Sequence, residues 1–320
     1  MTDLTETQAS ESLIRLVQSG EEANIELAFT LAKSQGNPAG FGKYLHELLA
    51  LHNQTNRLNV QTPDLQTITA LLQSTELSFV KKSLEHLSES IGQLKNLKGL
   101  NCMNNQLVCL PDSIGQLKNL EQLECSCNQL VDLPEHMGQL QHLKWFYCNA
   151  NQLKIIPESI GKLENLERLY CNENQLASLP DSIGNLKKLK VLNCNDNKLQ
   201  NLPDSIGQLE NLGWFYCRNN QLANLPESIT QLQSLQHLDC QHNQLTKLPD
   251  SIGKLEKLEF LYCTNNQLTS LPESLAALPH LMAIDARGNP GIRVPDALRR
   301  KTGLDLKIDR LASRKSLQQT

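Results

Sequence analysis

The stretch LKGLNCMNNQLVCLPDSIGQLKN, residues 97–119, is the first clear copy of a phrase that recurs at a step of 23 residues. Nine asparagines keep this step from Asn105 to Asn289, and nine prolines keep it from Pro111 to Pro295. Eight cysteines do the same: Cys102, Cys125, Cys148, Cys171, Cys194, Cys217, Cys240 and Cys263. One copy cannot bury its leucines alone, so a tandem phrase of this length predicts repeats stacked into a solenoid.

The first part of each copy predicts a strand and the second part a turn. In residues 99–103 alternate side chains point to opposite faces, so Leu100 and Cys102 face one way and Asn101 the other. The L-P-x-S-I-G segment that follows, as at 110–115, predicts a short helical or 3-10 turn, since proline suits a first helical turn. Because the turn needs more width than the strand, we expect parallel strands on an inner, concave wall and turns on the convex side.

The whole pattern, L-x-x-L-x-C-x-x-N-x-L-x-x-L-P-x-x-I-G-x-L, resembles the leucine-rich-repeat family over about two thirds of the chain. Its L-P-x-x-I-G-x-L ending is similar to the 23-residue subclass of Ras-binding-type and bacterial scaffolds. The resemblance implies an α/β solenoid: a leucine-rich-repeat horseshoe with a parallel concave sheet, short convex helical or 3-10 turns and an N-terminal helical cap. We predict three regions: an N-terminal helical cap (1–75), a degenerate first repeat plus nine repeats (76–294), and a C-terminal cap and tail (295–320).

The N-terminal region reads as a disordered tail at 1–8 followed by short amphipathic helices, one of which begins at Thr62 and Pro63. Leu77 and Phe79 match the repeat, but Lys82 stands in the place of the asparagine. A terminal repeat must shield the apolar end of the stack, so we assign the helices to that task, with a separate docking role as the alternative.

The C-terminal region predicts a helix at Pro295–Lys301 and then a last strand, because Leu304, Leu306 and Ile308 alternate with polar residues. Residues 312–320 are polar and are predicted to form a frayed tail.

The recurring asparagines and the recurring cysteines form two columns through the stack, and each column has a structural interpretation. An asparagine directed into the stack supplies a donor and an acceptor to the backbone of the tight turn. The cysteine column is predicted to be buried, and the alternative is a soft-metal or redox array. Side-by-side Cβ vectors and the absence of C-x-x-C spacing argue against that alternative. Of the two other cysteines, Cys109 lies on the outer leg, and Cys127 is the one thiol predicted to be exposed.

Composition and net charge limit the kinds of partner and the compartment that we expect. The net charge of −4 does not favour a nucleic-acid partner, and no apolar run approaches the roughly 20 residues of a membrane span. The repeat accounts for eight of ten cysteines, and no signal-peptide pattern opens the chain, so we expect a cytoplasmic protein. We also expect a monomer with no cofactor, no bound metal and no membrane or nucleic-acid partner.

The outward residues of the strands hold the candidate binding site. Both tryptophans and four of the five tyrosines fall there in a chain with 4% aromatic residues. Large rigid rings and arginines are typical of interface hot spots, although aromatic residues also suit exposed strands. The predicted partner-binding residues are Trp145, Tyr147, Arg168, Tyr170, Trp214, Tyr216, Arg218, His237, Asp239, Phe260 and Tyr262. A metal site at His237, Asp239 and His242 is a weaker interpretation, because no spacing shows that they converge.

These observations favour a non-enzymatic scaffold that binds a protein on its concave, aromatic-rich face. The chain lacks G-x-x-x-x-G-K, G-x-S-x-G and H-E-x-x-H, which leaves an enzyme that uses Cys127 as a weak alternative. The family resemblance implies a second hypothesis, a regulatory subunit or effector that acts on a small GTPase or signalling enzyme.

Overall fold

The computed structural model describes residues 2–56 and 60–309, which fall in two compact units, Met1–Gln152 and Leu153–Thr320. The first unit begins with helices and continues into repeats. The second unit consists of repeats and the C-terminal elements. The tail predicted at 312–320 lies outside the described residues.

Four helices open the first unit: α1 (Thr2–Gln18), α2 (Glu22–Ser34), α3 (Ala39–Asn56) and α4 (Leu65–Gln73). The helices α1 and α4 both contact α2 and α3. The helix α1 includes residues 2–8, so the predicted disordered tail is wrong there. The carboxylate of Glu6 accepts a hydrogen bond from the Ala39 backbone N–H at 3.2 Å, which ties this part of α1 to the start of α3.

The helix α4 begins at Leu65, so the predicted start at Thr62 and Pro63 is wrong by a few residues. The cap is Asp64, whose Oδ1 accepts the Thr67 backbone N–H at 2.8 Å and whose Oδ2 accepts the Thr67 hydroxyl at 2.8 Å. These hydrogen bonds, the backbone one first, lower the pKa of Asp64. An ionised acceptor at this position stabilises the helix N-terminus, which explains why the helix starts after Asp64.

Four short strands follow in the first unit: β1 (Glu76–Ser78), β2 (Gly99–Asn101), β3 (Gln122–Glu124) and β4 (Trp145–Tyr147). Neighbouring strands pair in parallel at the 23-residue step. Their middle residues, Leu77, Leu100, Leu123 and Phe146, are therefore in register and buried. The 3-10 turns between them are Glu89–Gln93, Asp112–Gln116 and Glu135–Gln139.

The second unit continues the same pattern with seven parallel strands: β5 (Arg168–Tyr170), β6 (Val191–Asn193), β7 (Trp214–Tyr216), β8 (His237–Asp239), β9 (Phe260–Tyr262), β10 (Ala283–Asp285) and β11 (Asp305–Lys307). Each strand pairs with the next at the repeat step, apart from the shorter step to β11. The 3-10 turns are Glu158–Lys162, Asp181–Asn185, Asp204–Gln208, Glu227–Gln231, Ile252–Lys254 and Glu273–Ala277. The predicted solenoid of parallel strands and 3-10 turns is confirmed.

The turns pack closely because a glycine recurs in them. A Cβ added to Gly207 would run into the carbonyl oxygen of Ser228 in the next turn. The equivalent position one repeat later is Thr230, and the turn beyond it is shortened to Ile252–Lys254. Where threonine replaces the glycine, the 3-10 turn of the next repeat is shorter than the others.

The asparagine column holds the stack together. Asn220 donates through Nδ2 to the carbonyls of Cys194, Cys217 and Arg218 at 3.0–3.1 Å, and its Oδ1 accepts the Leu199 N–H at 2.9 Å. One buried side chain therefore satisfies backbone groups of two repeats. The same arrangement recurs in the first unit, where Asn128 is an example. The predicted structural role of the column is confirmed.

The C-terminal elements match the prediction in part. The strand β11 pairs with β10 as expected, with the Asp305 N–H donating to the Met282 carbonyl at 2.8 Å. The predicted helix at Pro295–Lys301 is only one turn, α5 (Asp296–Arg299). A short segment, residues 300–304, joins this turn to β11, and it contains Gly303 with a φ of 77°.

We expect Asn220→Ala to lower the free energy of unfolding by about 3 kcal/mol or more, because an unsatisfied buried backbone group costs about 1–3 kcal/mol. Equilibrium unfolding in urea measures the change. Gln221→Ala is the matched control, since Gln221 is the adjacent residue and is exposed. An equal loss of unfolding free energy in the two variants would contradict the stabilising role of the asparagine column.

Candidate functional site

The strands leave one set of side chains outside the core. In β7 the middle residue, Phe215, is fully buried, whereas Trp214 is 40% exposed and Tyr216 is half-buried. The middle residue is buried in each strand from β1 to β10, whereas the flanking residues range from exposed, as at Arg168, to buried, as at Val191 and Asp239. We call the outward side chains of the strands the strand face.

The strand face of the first unit carries two of the predicted residues. Trp145 is 37% exposed and Tyr147 is half-buried, and they stand in register with Gln122 and Glu124 of β3. The Lys144 ammonium lies 2.6 Å from a carboxylate oxygen of Glu121 just before these strands. This part of the face therefore places an indole and a phenol among polar groups.

The strand face of the second unit consists of two rows that run across the strands. The first row contains Arg168, Val191, Trp214, His237, Phe260 and Ala283. The second row contains Tyr170, Asn193, Tyr216, Asp239, Tyr262 and Asp285. The first row is mainly apolar, and in the second row tyrosines alternate with amide or carboxylate side chains.

Rings from both rows form a cluster on β7, β8 and β9. The His237 ring centroid is 5.0 Å from that of Tyr216, 5.1 Å from that of Tyr262 and 5.8 Å from that of Phe260. The Phe260 and Tyr262 rings stack with their centroids 6.3 Å apart. Four residues from three neighbouring strands thus form one continuous aromatic surface.

Burial sets the protonation of this cluster. It lowers the pKa of His237, against a smaller opposing effect of the Asp239 charge, so the imidazole is neutral at neutral pH. Burial also raises the pKa of Tyr216, and Tyr170 and Asp239 add to the effect. The surface at neutral pH is therefore composed of uncharged rings next to one carboxylate.

The structure brings some of the predicted site residues together and leaves others apart. The structure brings Tyr216, His237, Asp239, Phe260 and Tyr262 together, although Asp239 is only 7% exposed. The exposed guanidinium of Arg218 lies 3.7 Å from the Asp196 carboxylate, and Arg168 is exposed at one end of the first row.

Two residues of interest are absent from the sequence-based set. Met282 is 52% exposed next to β10, and Asp285 lies in the second row. The repeat step places both at outward positions of the template, and they were left out of the predicted partner-binding set, which consists mostly of aromatic residues and arginines.

The metal interpretation of His237, Asp239 and His242 gains no support. His242 lies in the turn after β8 with a φ of 51°, and its Nε2 is 3.1 Å from the side-chain amide nitrogen of Asn265. Within residues 2–56 and 60–309, no group of three or more His, Cys, Asp or Glu side chains is placed to hold a metal ion.

The cysteine column is buried, as predicted. In the second unit Cys194 donates its thiol hydrogen to the carbonyl of Tyr216 on the next strand, with the sulfur at 3.3 Å. Burial raises the pKa of the thiols of Cys125, Cys194, Cys217 and Cys240, and it raises the pKa to about 12 at Cys102, Cys171 and Cys263. All ten cysteines are free thiols. The expectation that Cys127 is the one exposed thiol is wrong, because Cys109 is exposed and Cys127 is half-buried.

Comparison with known proteins identifies the repeats. A family model described as a leucine-rich repeat region matches residues 172–243, and another, described as two copies of leucine-rich repeats, matches residues 233–280. These matches identify leucine-rich repeats within residues 172–280; the 23-residue subclass remains a prediction. The comparison with curated proteins finds no match.

Solved structures with the same fold include two receptors. The first is the ectodomain of the membrane receptor kinase GASSHO1/SCHENGEN3 from Arabidopsis thaliana in complex with CASPARIAN STRIP INTEGRITY FACTOR 2. It is 29% identical with a TM-score of 0.66, and the match covers 73% of this chain and 29% of that one. A TDR receptor is 25% identical with a TM-score of 0.65, and the match covers 76% of this chain and 48% of that one. This chain thus matches less than half of either receptor structure.

A bacterial structure also shares the fold. The functional domain of InlJ from Listeria monocytogenes, described as including a cysteine ladder, is 20% identical with a TM-score of 0.56. The match covers 85% of this chain and 62% of that one, and at this identity it supports the fold alone. Among the described residues of the present chain, no helix has the length and apolar character that crossing a membrane requires.

We expect iodoacetamide at pH 8 to modify Cys109 first and Cys127 more slowly, while the eight column thiols stay unmodified until the protein unfolds. A thiol with a pKa of about 12 is ionised to the order of one part in ten thousand at that pH, and only the thiolate reacts. Mass spectrometry of the native and denatured protein counts the modified sites. Native labelling of Cys194 at the rate of Cys109 would show that the column opens readily.

Proposed function

We propose that this protein is a non-enzymatic scaffold that binds another protein on its strand face, which would form the concave side of the array. The observation that carries the proposal is the aromatic surface of Tyr216, His237, Phe260 and Tyr262, together with the exposed Trp214 beside it. The core does not need these rings, because the buried middle residues of the same strands complete it.

Ring chemistry supports a protein partner. Tyrosine and tryptophan give a large contact area for little loss of side-chain freedom, and they dominate interface hot spots. The similar ectodomain of GASSHO1/SCHENGEN3 was solved in complex with CASPARIAN STRIP INTEGRITY FACTOR 2. Basic Arg168 and Arg218 and acidic Asp239 occur on the same face, and such mixed charge favours a protein over a polyanion.

The proposal includes a cytoplasmic monomer that binds neither nucleic acid nor a membrane. Ten free thiols support a reducing compartment, where such thiols persist. Size-exclusion chromatography with light scattering tests the monomer, and fractionation of cells that express the protein tests the location.

We expect the double variant Trp214→Ala and Tyr216→Ala to weaken partner binding by at least about 30-fold, because truncating a hot-spot residue commonly costs about 2 kcal/mol or more. Partners are first captured by crosslinking through a photoreactive group placed at Gln236, next to this surface, and identified by mass spectrometry. Affinity for the purified partner is then measured by calorimetry. The pair Trp145→Ala and Tyr147→Ala tests the strand face of the first unit separately.

Ile155→Ala is the matched control for this experiment. Ile155 is 59% exposed and lies outside the strands, so the variant removes exposed apolar area away from the strand face. A partner that tolerates both aromatic pairs but is lost on Ile155→Ala would overturn the proposal, because it would place binding on another surface. Unfolding midpoints of all variants show whether any loss reflects folding.

A further inference from the structure

Asp239 has an unusual position within the aromatic surface. It lies in the second row directly between Tyr216 and Tyr262, each of which is its register partner on a neighbouring strand. The His237 ring contacts both tyrosine rings, with centroids 5.0 and 5.1 Å away. Asp239 therefore has a tyrosine beside it on each neighbouring strand, and the His237 ring lies between those two phenol rings.

The charge of Asp239 has no internal counter-ion in the described part of the chain. Its Oδ1 accepts hydrogen bonds from the backbone N–H and the side-chain amide of Gln241, at 3.2 and 3.0 Å, and both donors are neutral. No ion pair with Asp239 occurs among residues 2–56 and 60–309, and Arg218 pairs instead with Asp196. His237 is neutral at neutral pH for the reason given above. A carboxylate that is only 7% exposed is expected to have a cationic partner.

The same protein shows how this register position is satisfied elsewhere. Asp285 also lies in the second row, two strands from Asp239, and it is 8% exposed. The Arg287 guanidinium donates to both of its carboxylate oxygens, at 2.9 and 2.6 Å. The residue two positions after Asp239 is Gln241, where Asp285 has Arg287. Asp239 thus occupies the position of the carboxylate in the Asp285–Arg287 pair, but Gln241 stands where that pair has its arginine.

The spacing of the rings suits a planar cation. Neighbouring strands lie about 4.8 Å apart, so Tyr216 and Tyr262 stand on strands separated by roughly 10 Å. The planar His237 ring, 5.0 and 5.1 Å from the two phenol rings, lies in this space, which therefore accepts one flat group. A guanidinium is flat, stacks on aromatic faces and forms two parallel hydrogen bonds to a carboxylate. An ammonium group has the charge but neither the flat shape nor the paired donors, so it satisfies fewer of these contacts.

We propose that Tyr216, Asp239 and Tyr262 form a site for an arginine side chain presented by the protein partner. The guanidinium takes the place of the His237 ring between the two phenol rings and binds the free Oδ2 of Asp239, and the aliphatic stem of the arginine contacts the displaced imidazole. This guanidinium site deepens the proposed function, on which it rests, by stating which residue the partner must carry on its surface.

A small probe tests the site without a partner. N-acetyl-arginine-N-methylamide is titrated into the full-length protein with ¹³C-labelled tyrosine rings, and the five tyrosine signals are followed by NMR. We expect saturable shifts at Tyr216 and Tyr262 and at least tenfold weaker binding of the neutral isostere N-acetyl-citrulline-N-methylamide. Equal binding of the citrulline probe, equal binding of N-acetyl-lysine-N-methylamide, or an absence of shifts at these two tyrosines would overturn the proposal.

Two matched variants separate charge from shape. Asn193 occupies the same register position between Tyr170 and Tyr216, and its Oδ1 accepts the Asn195 N–H at 3.1 Å, as Asp239 does with Gln241. Asp239→Asn should therefore keep the local backbone and reduce arginine-probe binding to the citrulline level. Asn193→Asp should create a second site, seen as new shifts at Tyr170. Unchanged binding by Asp239→Asn in a protein with a wild-type unfolding midpoint would overturn the proposal.

The probe also distinguishes this inference from the proposed function. If the aromatic variants abolish binding of the identified partner but Asp239→Asn leaves probe binding unchanged, the scaffold function stands and the guanidinium site is wrong. If the probe binds as expected but the partner tolerates every strand-face variant, the site is real and the proposed docking surface is wrong.

Discussion

The hydrogen bonds of the asparagine column are the interaction on which the rest of the structure depends. A repeat of 23 residues must turn sharply after each short strand, and the turn leaves carbonyl and N–H groups that the sheet cannot pair. Asn220 and its equivalents satisfy these groups in two successive repeats at once. The column therefore joins neighbouring repeats alongside the buried leucines, because an unpaired buried backbone group is costly.

This arrangement has a consequence for function. Once the middle strand residues and the asparagines hold the stack, the outward strand residues are free to vary without loss of the fold. In the second unit those positions contain Trp214, His237 and Phe260 in one row and tyrosines alternating with Asn or Asp in the other. The chemistry of the strand face can thus change one residue at a time, as the proposed binding role requires.

The cysteine column differs from the strand face, because its thiols are buried and have a structural role. Full burial raises the pKa of thiols such as Cys194, and the thiol hydrogen is donated to a neighbouring strand. A thiol in this state packs as a small apolar group. The contrast between Asp239 and Asp285 shows that burial alone does not decide a role, since one carboxylate has an internal arginine and the other does not.

The sequence by itself determined the repeat, the strand and turn positions, the buried leucines and cysteines and the structural use of Asn220, because each follows from a local period. The end of α5 and the start of α4 were predicted less well, and at α4 the hydrogen bonds of Asp64 decide the start. Only the tertiary structure showed that His237 contacts Tyr216 and Tyr262, and that Asp239 is buried next to them with no ion pair among the described residues 2–56 and 60–309. The physical reason is that ring contacts and ion pairing across strands depend on side-chain orientation, whereas a repeat period fixes only which backbone positions lie side by side.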